Sequence, residues 1–157
     1  MLTTLLISMT LLLAQPATAP AADAKLDKAQ FMAAVERFMN QPAMGADSET
    51  IGKFAQESED CLVGLSPDVL TWRQHKPSYA QGPVLTTAFV AGNVKAQLDS
   101  GKNADDPYAG LLSAIKVYEK LRAADASIKV PELDEMIALE KKGELKAWAE
   151  KAAQGSK

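Results

Sequence analysis

Apolar residues recur at three- and four-residue intervals along most of the chain beyond residue 26, the spacing of helices that each bury one face. Nowhere do Val, Ile and Thr alternate with polar residues over a strand length, so the pattern predicts an all-α fold. Helical spacing first runs from Leu26 to Asn40, with Phe31, Ala34, Val35 and Phe38 on one side. Asp27 is placed to cap this helix, Gln30 to answer it three residues on, and Leu26 to staple onto Phe31. Pro42 ends it, because the residue before a proline is pushed out of helical geometry.

A second helix is expected from Asp47 or Ser48 to Gly64, with Ile51, Phe54, Ala55, Ser58, Cys61 and Leu62 at helical spacing. Ser66-Pro67-Asp68 combines a cap, a proline at the first helical position and an acid in the first turn, which predicts a short helix through Val69 to Trp72. Arg73 to Gly82 carries no apolar pattern and reads as a surface loop. Gly82-Pro83 then launches a helix through Leu98 in which Lys95 is the sole charge, so it should lie at the centre of the domain. After a turn at Ser100 to Asn103, Asp106 caps a helix led by Pro107, with Leu111, Ala114, Ile115, Tyr118 and Leu121 inward. These two helices should form an antiparallel hairpin. Val130-Pro131 opens a last helical region with Leu133, Met136 and Ile137 inward, an interruption at Gly143, and Leu145, Trp148 and Ala152 continuing the pattern. The tail after Ala153 should fray. No fixed repeat and no linker divides residues 23–157, which predicts a single compact bundle of five to six helices.

The segment before it differs in kind. No Lys, Arg, Asp or Glu occurs from Met1 to Ala22, and residues 5–13 form an apolar run of signal-peptide length, well short of the ~20 residues a membrane-crossing helix needs. Residues 1–22 are therefore expected to be a signal peptide, with cleavage near residues 21–24, because Pro20 disfavours cleavage after Ala19. The expected destination is the periplasm or the extracellular space, with no membrane span in the mature form. The single cysteine, Cys61, cannot form an internal disulfide there, and it lies too far along the chain to be a lipidated residue at the cleavage point. Its apolar surroundings predict that it is buried.

Composition narrows the chemistry. The 17 basic and 20 acidic side chains give a formal charge of -3, and the isoelectric point is near 5.2, so a nucleic-acid partner is not expected. Isolated glycines form no phosphate loop, no CxxCH is present for haem, and Met32 and Met39 at a seven-residue spacing read as core filling in preference to a copper site; no cofactor or metal is expected. A Cys61–His75 dyad would require a thiol that the apolar pattern places in the core. No catalytic constellation is evident.

The richest candidate is the loop, which gathers Trp72, Arg73, His75, Lys76 and Tyr79: a cationic patch with aromatics able to stack on a ligand or a partner. The resulting expectation is an exported helical binding or protein-interaction module, its partner a protein or a small ligand, contacted by this loop and by the groove beside the helix that starts at Pro83. The alternative is a small exported hydrolase using Glu57, Glu59 or Asp60 with His75, which requires at least two of these groups in one concave pocket.

Overall fold

In the computed structural model, which describes residues 27–155, six α-helices and one 3₁₀ turn enclose a single hydrophobic core, and no strand occurs among the described residues. The expected leader at 1–22 and its cleavage near 21–24 lie outside the described residues.

Helix α1, Lys28–Asn40, begins where Asp27 Oδ1 accepts the Ala29 amide at 2.8 Å, and it buries the four residues predicted from their spacing: Phe31, Ala34, Val35 and Phe38. Helix α2, Ala46–Glu57, packs back on it, with the Phe31 and Phe54 rings stacked at 4.6 Å between centroids. Arg37 in the last turn of α1 donates to Asp47 in the first turn of α2 at 2.7 and 3.0 Å, each charge lying at the helix end whose dipole it complements.

Helix α2 stops at Glu57, seven residues short of the expected Gly64. Apolar spacing continues through Cys61 and Leu62, but three acids would crowd the negative end of the dipole, and Ser58 Oγ instead accepts the Asp60 amide at 3.1 Å. Cys61 is buried as expected, although on an irregular segment, whereas Leu62 is 62% exposed. The expected helix at Val69 to Trp72 is likewise displaced, because Ser66 O collects the amides of Val69 and Leu70 in a turn and the 3₁₀ turn follows at Thr71–Gln74.

Segment 58–70 is tied down by side chains of helix α3, Gly82–Ser100, and of the turn that follows it. Gln97, 2% exposed, accepts the Leu62 amide at 2.9 Å and donates to the Leu62 carbonyl at 2.7 Å, as a neighbouring strand would. Asn93, fully buried, accepts from Gln97 at 2.7 Å and donates to Asp105 Oδ1 at 2.7 Å, and that same oxygen accepts the Gly64 amide at 3.0 Å. Each buried amide is thereby satisfied, and loop, helix and hairpin turn are locked together.

Helix α3 is central as predicted, touching α1, α2 and helix α4, Pro107–Ala124. The reversal between α3 and α4 uses Gly101 at φ +67°, while Gln97 O accepts the amides of both Gly101 and Lys102. The two helices form the expected antiparallel hairpin and nearly touch. A β-carbon on Gly92 would lie 2.6 Å from the Ala109 carbonyl and 2.5 Å from Ser113 Cβ, and one on Gly110 would lie 2.9 Å from the Phe89 carbonyl. Helix α5, Pro131–Lys141, is tied to α4 by Tyr118 Oη, which donates to Asp134 and accepts the Val130 amide at 3.1 Å, and by Arg122, which pairs with Asp134 at 2.7 Å. After the break at Gly143, helix α6, Leu145–Gln154, buries Leu145 and Ala149 and leaves Trp148 half-buried against the core.

Candidate functional site

The loop residues separate into three kinds. Trp72 is 1% exposed and belongs to the core, so its ring face is not free to stack on a ligand; its indole N–H has no hydrogen-bond partner. Arg73 and Lys76 are exposed, and neither forms an ion pair among the described residues. His75 and Tyr79, both half-buried, stack at 4.1 Å between ring centroids.

Tyr79 Oη donates to Glu132 Oε2 at 3.0 Å and lies 2.9 Å from His75 Nδ1, which is itself 3.3 Å from Glu132 Oε1. Since the one hydroxyl proton goes to Glu132, the hydroxyl oxygen accepts from His75; the neutral imidazole therefore carries its proton on Nδ1, and Nε2 keeps a lone pair. Burial, reinforced by the hydrogen bond to the Glu132 carboxylate and by its charge, pushes the Tyr79 phenol up to about 12, so it stays a donor across the physiological range. This cluster pins the loop to the first turn of α5. Gln74 Nε2 adds a second tether, donating to the Pro67 carbonyl at 2.6 Å.

Beside the cluster lies a groove of about 440 Å³, bounded by the loop residues Trp72, Arg73, Ser78 and Tyr79 and by Gly82, Pro83 and Thr86 at the start of α3. It lies beside the start of α3. Glu132, which completes the cluster, was missed. Its place in a first helical turn reads locally as a dipole partner, and only the tertiary fold brings it across 53 residues to Tyr79.

The carboxylates proposed for hydrolysis do not converge. Glu57, Glu59 and Asp60 are exposed; Glu57 faces Lys53 at 4.0 Å, Asp60 pairs with Lys28 at 3.2 Å, and His75 turns to Glu132 instead. None of them lines the grooves described here. Cys61 is poorly suited to nucleophilic work, because burial pushes its thiol up and keeps it protonated. No group of three or more His, Cys, Asp or Glu able to hold a metal occurs among the described residues, and no helix there is long and apolar enough to cross a membrane.

A second and larger groove, about 740 Å³, opens on the flank of α3. Helix α1 packs chiefly on α2 and more lightly on α3, which leaves a trough between α1 and α4. Met32, Val35, Glu36 and Met39 form one wall, Gly92 and Ser113 lie where α3 and α4 approach most closely, and Lys95, Lys116 and Lys120 complete the lining. The two methionines thus line a cavity, half-buried and adaptable in shape.

No family model matches the chain, and neither a curated protein nor a solved structure matches it.

Proposed function

We propose that the mature chain is an exported, periplasmic or secreted, binding module that recognises an acidic partner through the 72–81 loop and the groove at the start of α3. The observation that carries this reading is the contrast within the loop. His75, Tyr79 and Gln74 are hydrogen-bonded into the fold, while Arg73 and Lys76 project from it without counter-ions among the described residues. Two exposed cations on a tethered loop present a geometry that loses little conformational entropy on binding. On a chain of formal charge -3 they form a local patch that attracts a negatively charged surface. Export is supported by the apolar leader, which carries no Lys, Arg, Asp or Glu from Met1 to Ala22.

The test is affinity capture from a periplasmic extract, followed by mass spectrometry, with the double variant Arg73→Glu/Lys76→Glu beside the parent protein. Both residues are exposed, so the melting temperature should be retained while the captured partner is lost. Undiminished capture by the double variant would remove the loop from the contact surface.

A further inference from the structure

We propose that the groove between α1, α3 and α4 is a separate site for a medium-chain fatty acid, its acyl chain lying in the trough and its carboxylate held by Lys116 and Lys120. The lining matches what an anionic amphiphile needs: an apolar body and a charged end. Met32, Val35 and Met39 supply the apolar wall. Gly92 and Ser113, at the tight crossing of the hairpin, leave the middle of the trough free of bulky side chains.

Charge is distributed unevenly along it. Lys95, beyond the crossing on α3, is neutralised by Asp99 one turn on. Lys116 and Lys120 stand one and two turns past Ser113 on α4, toward the opposite end, because the two helices are antiparallel. Lys120 donates to the Met39 and Asn40 carbonyls at 2.9 and 3.0 Å, using two of its three protons. Lys116 forms no ion pair among the described residues. Like charges four apart on a helix repel, and a bound carboxylate removes that repulsion. Glu36 is the opposing charge on the α1 wall, and it weakens the attraction without cancelling it.

Length sets the size of the acyl chain. The wall from Met32 to Asn40 is nine residues of helix, an advance of about 12 Å over eight steps. An extended chain advances about 1.25 Å per methylene, from C–C bonds of about 1.5 Å, so some ten carbons span it.

Isothermal titration of the purified protein with sodium dodecanoate below its micelle concentration tests this directly. One saturable site is expected, with dodecyltrimethylammonium, which has the same tail and the opposite charge, binding at least about tenfold more weakly. Lys116→Glu should weaken dodecanoate about tenfold at unchanged melting temperature, and Glu36→Gln should tighten it a few-fold. Arg73→Glu/Lys76→Glu should leave its affinity unchanged, which separates this site from the loop. Absence of saturable binding, equal affinity for the two amphiphiles, indifference to Lys116→Glu, or loss of binding in the loop variant would each overturn the proposal.

Discussion

Two grooves beside α3 differ in construction, one walled by an irregular polar loop and the other by three helices, and they hold their shapes by different physics. The loop groove depends on hydrogen bonds, one reaching across 53 residues from Tyr79 to Glu132 and a local one from Gln74 to Pro67. The flank groove lies beside a close helix crossing, where Gly92 lets α4 approach α3 and α1 is seated mainly on α2. A polar tether can be loosened one bond at a time, whereas a close helix crossing fails as a unit. Substitutions should therefore act very differently on the two sides.

The largest effect is expected at Trp72, where the loop groove meets the core. Trp72→Ala should cost about 3–5 kcal/mol in a denaturant titration, as a fully buried indole is removed. A loss near zero would mean that the ring is not the wall this structure shows. Gly92→Ala comes next. Although alanine favours a helix, the new methyl would meet the Ala109 carbonyl and Ser113 Cβ, neither of which can rotate away, so a net loss of about 1–3 kcal/mol is expected. It should also perturb ligand binding in the flank groove while sparing partner capture by the loop.

Glu132→Gln should cost less, about 0.5–1.5 kcal/mol, because the cluster is half exposed. Its clearer signature is the titration of Tyr79. A phenol whose folded pKa is raised contributes stability that is complete below pH 10 and lost as the pH climbs through about 12. Removing the Glu132 charge should draw that pKa back toward 10, read as tyrosinate absorbance during an alkaline titration; an unchanged curve would remove Glu132 from the causes of the shift. The smallest effect belongs to Lys116→Ala, which should leave stability within about 0.5 kcal/mol of the parent, since the side chain is exposed and forms no ion pair among the described residues. A larger loss in thermal melting would give this lysine a structural duty and weaken its assignment to a ligand.

The two grooves also differ in how far they could be read in advance. Helical spacing and capping residues located α1, the hairpin of α3 and α4, and the break at Gly143, because those signals act within a turn or two of the chain. The same spacing misled at Cys61 and Leu62, where a cluster of acids and the Ser58 side chain ended the helix early. The loop was legible as a loop, since residues 73–82 lack any apolar pattern. That Trp72 would be enclosed, or that Glu132 would hold Tyr79, was not, because each depends on contacts between distant residues. Gln97 and Asn93 were equally hidden within a helix whose apolar residues dominated its reading, although two amides four apart on a buried helix signal a polar network. The flank groove left one local trace, Lys116 and Lys120 four apart on α4, whose meaning appears only with α1 in place.

Methionine methyl NMR offers the most direct measurement, since the described methionines divide between groove and controls: Met32 and Met39 line the flank groove, Met44 is exposed, and Met136 is buried in the core. On titration with dodecanoate, a site in that groove predicts saturable shifts of the Met32 and Met39 methyls while Met44 and Met136 stay in place. Shifts of comparable size at Met44, or no shift at Met32 and Met39, would contradict it.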